Sequence, residues 1–366
     1  MIPKLPAFLG AFLLALSATA AASSQPDRLV NAKLEARSAA AGLARTVRAI
    51  AAGRKGAAWV AYGVPVLGQH QMCCYGSVQD YKRFPCGGRC FLEEGKRGSS
   101  FFNSTNGDCA GIDSEREFLV LFRVEGGEVN RIRALSRDCM LDAGGLSFIW
   151  VTDVKPEESV AFLSELVNDG GLESKKQKGF NEPALAAIAF HDDPSADAAL
   201  EAFTAPRQML RVREQAAFWL GNARGERGYQ VLRRLALEDS DERLRRHVTF
   251  ALTQSEEPEA LPTLILMAKK DPSHEVRGQA LFWLAQTAGD KAAETIQDAI
   301  RDDPQTEVKR KAVFALSQLG GGRAVPELIR VARTNRNPEV RKQAIFWLGQ
   351  SGDPRALEFI EQILAD

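Results

Sequence analysis

Surplus charge, histidine and long apolar runs are all scarce in this chain, and each scarcity narrows what it can do. Its 366 residues carry 47 basic and 47 acidic side chains, which cancel. Nucleic-acid backbones and anionic membrane surfaces are held by an excess of Lys and Arg, so a neutral chain offers no electrostatic case for either partner. Only four histidines occur, His70, His191, His247 and His274, scattered and without an H-E-x-x-H or Ser-His-Asp cue. P-loop, G-x-G-x-x-G and C-x-x-C motifs are absent too, which removes nucleotide cradling, thioredoxin-like exchange and c-type haem attachment. No motif calls for a cofactor or a metal. Beyond the N-terminus, no stretch approaches the roughly 20 apolar residues of a membrane helix.

The N-terminus itself reads as an export signal over residues 1–22. Lys4 supplies a positive start, Ala7 to Leu16 a short apolar core, and the small residues after it fit cleavage behind Ala20 or Ala22. An uncleaved anchor is the other reading of this stretch. With no cysteine at the cleavage point, a lipid anchor has no attachment site. The expectation is an exported protein, periplasmic or secreted.

Cysteine usage agrees. Cys73, Cys74, Cys86, Cys90, Cys109 and Cys139 all precede residue 140, and nothing after it carries a thiol. An even number of cysteines clustered in an exported segment reads as a disulfide framework, with the pairing open. Neighbours Cys73 and Cys74 are expected to bond elsewhere, because a bridge between adjacent residues strains the geometry. A zinc site using Cys86, Cys90 and His70 is the rival, but no second pair of ligands completes it. An Asn103-Ser104-Thr105 glycosylation acceptor lies in the same segment.

Residues 24–168 read as a small disulfide-rich α+β domain. Pro26 to Ala52, rich in Ala, Leu and Arg, predicts an amphipathic helix. Ala58 to Val64 predicts a strand before Pro65. Glu117 to Val124 and Glu128 to Leu135, joined by Glu125-Gly126-Gly127, predict a hairpin. A further strand is expected over Leu146 to Val151, followed by a helix from Lys155 to about Val167. The sheet is expected to be antiparallel. A polar, Gly- and Lys-rich linker is placed at 169–180.

From residue 181 to 366 the chain is built on a recurring stretch. Val212-Arg213 leads to Phe218-Trp219-Leu220, and equivalents begin at Leu244, Val276, Val308 and Val340, each 32 residues after the last. A fixed period of this size marks stacked supersecondary units that bury their apolar faces on one another. Val212, Ala216 and Leu220 share one helical face, and a second helix repeats Leu232, Leu264, Ile296, Leu328 and Ile360 at the same spacing. One period earlier, Ala196, Leu200 and Phe203 keep the second-helix pattern, while the first helix lacks the Arg and Phe as a cap does. Turns such as Asp271-Pro272 and Asp303-Pro304 join the helices.

At these residues the chain resembles the HEAT-repeat family, in the short bacterial form also seen in phycobilin lyases. The resemblance rests on Asp239…Arg245, Asp271…Arg277 and Asp303…Lys309, with Asn335…Arg341 departing at the acid. Tetratricopeptide and ankyrin signatures are missing. The resemblance implies an α-helical solenoid and leaves function open, since such arrays serve many partners.

Two columns bear on binding. Asn222, Gln254, Gln286, Gln318 and Gln350 lie one helical turn beyond the repeated Phe, and Gln215, Gln279 and Gln343 lie three residues before it, with His247 and Lys311 completing that column. Amides and aromatics along one face suit an extended peptide, although Phe packing between units is the plainer use of the rings. The Arg column reads as a ladder, an Arg paired with the acid six residues upstream wherever one stands there. Trp219, Trp283 and Trp347 alternate with Ala251 and Ala315, as large and small residues filling a shared core. The expected function is a non-enzymatic scaffold for a protein or peptide partner. The alternative is an enzyme or chromophore-handling protein with its chemistry in the head and the array as clamp.

Overall fold

The computed structural model describes residues 25–26, 28–68, 89–93, 117–168, 181–320 and 322–365. The head contains strands β1 (Leu29–Val30), β2 (Lys33–Ser38), β3 (Ala58–Pro65), β4 (Arg89–Phe91), β5 (Glu117–Glu125), β6 (Glu128–Ser136), β7 (Met140–Asp142) and β8 (Ser147–Thr152), with helices α1 (Leu43–Ala52) and α2 (Pro156–Asn168). A five-stranded sheet of order β2-β8-β3-β5-β6 lies beside a three-stranded one of order β1-β7-β4.

Strand β3 is buried on both faces. Val60 and Tyr62 pack among α1, α2 and the array, while Trp59 and Ala61 face a second core with Leu92, Leu141, Cys90 and Cys139. The head is therefore layered: helices, large sheet, small sheet. The expected hairpin forms, its turn made by Gly126 and Gly127 at φ 62 and 85, the left-handed pair that matches strand twist.

Two expectations for the head are corrected. The stretch predicted as one helix from Pro26 to Ala52 divides into strand and helix: β2 pairs with β8, and helix begins only at Leu43, after Gly42 turns the chain at φ 102. Ala, Leu and Arg favour helix locally, but pairing with a strand more than a hundred residues away outweighs a preference worth tenths of a kcal/mol per residue. The large sheet is mixed, not antiparallel. Helix α1 carries the chain back between β2 and β3, and β8 slots between them, parallel to both.

The array comprises α3 (Asn181–Phe190), α4 (Pro194–Phe203), α5 (Leu210–Ala223), α6 (Gly225–Glu238), α7 (Glu242–Thr253), α8 (Ala260–Lys270), α9 (His274–Thr287), α10 (Asp290–Asp302), α11 (Thr306–Ser317), α12 (Ala324–Thr334), α13 (Pro338–Gln350) and α14 (Pro354–Ala365). Helices bearing the motif (α5, α7, α9, α11, α13) form one layer, and their partners form the other. The motif layer packs much more closely on itself, so the array curves toward it. Small residues permit this approach: a Cβ on Gly221 would meet the Ala251 carbonyl oxygen at 2.3 Å. None of the described helices is long and apolar enough to cross a membrane.

Head and array share one core. Helix α3 packs on α2 and β6, and backbone hydrogen bonds from Leu67 to Phe190 and from Asp192 to Pro65 stitch the end of β3 to the end of α3. Beneath them, Ser159 Oγ lies 2.7 Å from Tyr62 Oη and 2.8 Å from His191 Nε2, all three residues buried. His191 Nδ1 faces the Ala187 carbonyl oxygen at 2.7 Å, which only accepts, so Nδ1 bears the proton and Nε2 accepts from Ser159. Burial pushes the His191 imidazole down to about 4. The linker placed at 169–180 and the export signal at 1–22 lie outside the described residues.

Candidate binding surface

The motif helices bring their aromatic rings into a continuous ladder along the inner face. Phe218 stacks on Phe250 at 5.9 Å and 14°, and Phe282 on Phe314 at 6.0 Å and 11°. Phe250 then tilts onto Trp283 at 4.8 Å and 37°, and Phe314 onto Trp347 at 4.9 Å and 37°. Edge contacts within α5, α9 and α13 complete the run, and Phe190 joins it through Trp219. The geometry thus repeats every two units, the 64-residue alternation of Trp and Ala made physical. Phe rings do pack between neighbouring units, yet they stay half-buried, and the terminal Phe346 is 52% exposed.

The amide columns flank this ladder. Gln286, Gln318 and Gln350 are exposed, while Asn222 and Gln254 are half-buried. Gln254 Nε2 donates to Thr253 Oγ1 at 3.0 Å and Gln318 Nε2 to Ser317 Oγ at 3.1 Å, which leaves each amide oxygen and one N–H free among the described residues. In the second column, Gln343 Oε1 accepts from Arg310, and Gln279 is half-buried. Lys311 extends across Gly278 to pair with Glu275 at 2.6 Å. Gln215 Oε1 and His247 Nε2, adjacent members of the column, are buried and meet no partner among the described residues. Burial pushes the His247 imidazole down, against the pull of Glu214. A buried polar atom left unpaired costs about 1–3 kcal/mol, so this edge of the ladder is under-satisfied.

The Arg column is a ladder, but its pairing differs from the expected one. Three of its arginines reach the acid 26 residues downstream, in the next turn: Arg213 to Asp239, Arg245 to Asp271 and Arg277 to Asp303. The acid six residues upstream contributes its backbone carbonyl instead, as Asp271 does to Arg277 at 2.9 Å. Sequence spacing alone marked the right residues with the wrong partners, because the solenoid sets each turn beside the next one. These ion pairs are buried structural staples and leave no ligand ladder.

In the head, a second concavity of about 850 Å³ lies between α1 and the β2–β8 edge, with Arg37, Arg45, Arg54 and Lys55 on its walls and no acid. Glu35 beside it is gripped by Arg54 at 2.5 Å, whose guanidinium holds the carboxyl below its usual range. Cys90 and Cys139 are buried and each disulfide-bonded, which takes Cys90 out of the rival zinc site. Cys73, Cys74, Cys86 and Cys109, with His70 and the Asn103 acceptor, lie outside the described residues. Among the described residues no group of His, Cys, Asp or Glu is placed to hold a metal.

These features define a class: an α-helical solenoid fused to an α+β head. Residues 196–285 and 293–366 match the family model for HEAT repeats, and the array belongs to that family. Similar solved structures include human deoxyhypusine hydroxylase in complex with glycerol, at 19% identity and a TM-score of 0.29, covering 57% of this chain and 90% of that one. Another is the complex of CpcE and CpcF of phycocyanin lyase from Nostoc sp. PCC7120, at 18% identity and a TM-score of 0.33, covering 43% of this chain and 98% of that one. At such scores neither bears on what this chain binds. No curated protein matches the sequence.

Proposed function

We propose that the protein is an exported, non-enzymatic scaffold whose inner array face holds an extended segment of a partner protein. The observation that carries this reading is the amide column beside the aromatic ladder, with Gln286, Gln318 and Gln350 exposed and recurring at constant spacing. Packed helices sit about 8–10 Å apart, and an extended chain advances about 3.3 Å per residue, so successive amides would meet every third residue or so of a bound strand. Primary amides pair with both backbone N–H and C=O, and the half-exposed rings offer flat apolar surface between them. The two unpaired atoms of Gln215 and His247 lie along the same edge. On this reading the head braces the first repeat, held by a disulfide framework across its six cysteines, and its basic cleft offers a second contact.

The test is affinity capture from envelope extract with the full chain, wild type against Gln286→Ala/Gln318→Ala, followed by titration of the captured protein. The double variant should bind at least about tenfold more weakly, a loss near 1.4 kcal/mol, with helicity and melting unchanged. Equal affinity in the two proteins would remove the amide face from function.

A further inference from the structure

The staple that closes the turns fails at one step, and a cleft opens there. At 309 and 335 both members change together, Lys309 standing in the Arg column and Asn335 in the Asp column. Each turns to a backbone carbonyl instead: Lys309 Nζ donates to Arg301 O at 2.6 Å, and Asn335 Nδ2 to Ile300 O at 3.5 Å. A concavity of about 660 Å³ lies at this step, with Lys309, Asn335 and Arg336 on its walls. Its other charges cancel locally, Arg301 with Asp302 at 2.8 Å and Arg330 with Glu327 at 2.6 Å. Lys309 and Arg336 have no carboxylate partner among the described residues. At the equivalent steps the cation is neutralised by a buried Asp carboxylate, as Arg277 is by Asp303 at 2.7 Å.

We infer that this gap is a carboxylate-binding site. A ligand carboxylate in this cleft takes the role that the Asp carboxylate plays at the other steps: it pairs with Lys309 and Arg336, and takes a further hydrogen bond from the Asn335 amide. The substitution of Asn for Asp removes the internal competitor, and Lys in place of Arg leaves room, since its single ammonium does not fill the space of a guanidinium fork. The carboxylate can come from a small free polycarboxylate or from an Asp or Glu side chain of a partner segment. The site lies at the turns, away from the aromatic ladder, so it stands or falls separately from the amide face.

Calorimetric titration of the full chain with citrate, and separately with a hexaglutamate peptide, tests this. Asn335→Asp supplies the carboxylate from the chain and should weaken binding roughly tenfold or more, with thermal stability equal or higher. Lys309→Met should weaken it comparably, and gives the same readout if the first variant misfolds. Binding of citrate assigns a small ligand, and binding of the peptide alone assigns a partner side chain. Absence of binding by both probes would overturn the inference. So would affinity unchanged in both variants, which would place the ligand at the basic cleft of the head.

Discussion

Arg245 grips the Asp271 carboxylate with two nitrogens, Nε at 2.9 Å from Oδ2 and Nη2 at 3.1 Å from Oδ1, across the turns of consecutive repeats. Asp271 is also a junction. Its Oδ1 accepts from the Ser273 backbone N–H at 2.8 Å, and its backbone carbonyl receives Arg277 of the following helix. One residue therefore ties its own turn to both neighbours, and the apolar columns beneath are held in register by the same contacts that satisfy the turn.

Asp271→Ala should destabilise the array by about 3–5 kcal/mol, because it leaves the Arg245 guanidinium buried without its counter-ion. The double variant Arg245→Met/Asp271→Leu should recover most of that loss, since it removes both charges and refills the space. Urea unfolding of the three proteins reads this directly. A single variant as stable as wild type would show the pair to be surface-like in energy.

Gly221 and Gly349 occupy the same column of the motif, yet alanine should act oppositely at the two. At Gly221 the added Cβ would lie 2.3 Å from a backbone carbonyl oxygen of the next motif helix, whereas at Gly349 nothing stands within 4 Å. Gly221→Ala should cost about 1–3 kcal/mol by overpacking, and Gly349→Ala should add up to about 1 kcal/mol through helix propensity. Thermal melting of both variants checks it; a shift of the same sign would contradict the close approach of α5 and α7.

His191 couples the junction to pH. Its folded pKa, about 4, lies below the usual value of 6.5, so the unfolded chain binds the proton first. Its contribution to stability is present above about 6.5, falls as pH drops toward 4 and is gone below that, with a span on the order of 2–4 kcal/mol. Asp193 and Arg224 also act on the imidazole, in opposite directions. His191→Gln should flatten the pH dependence of unfolding between about 6.5 and 4, while carboxylate effects common to both proteins cancel. Parallel curves would mean that the imidazole is not the group that titrates.

What could be read from residues alone followed their range of interaction. The second helix column ending at Leu328 and Ile360 and the first ending at Val340 and Leu348 was legible because each unit touches only its neighbours. The Trp and Ala alternation was legible too, though not its product. Stacked pairs such as Phe218–Phe250 depend on ring planes in different helices, about which a period of 32 says nothing. In the candidate site, the amide columns were visible as spacing, but not that Gln343 is engaged by Arg310 or that Gln215 is left unpaired.

The sequence by itself determined the helical array, its period, its register and the residues that staple it, because these rest on local periodicity repeated in tandem. Tertiary structure decided the rest. It made a strand of Lys33–Ser38 by pairing it with Ser147–Thr152, chose the downstream Asp as the partner of three of the arginines, and joined head to array through Tyr62, Ser159 and His191. It also placed Lys309 and Asn335 at one open cleft. All four are contacts between residues far apart in the chain, and the closure of such contacts depends on how the whole chain packs, which no local pattern of side chains encodes.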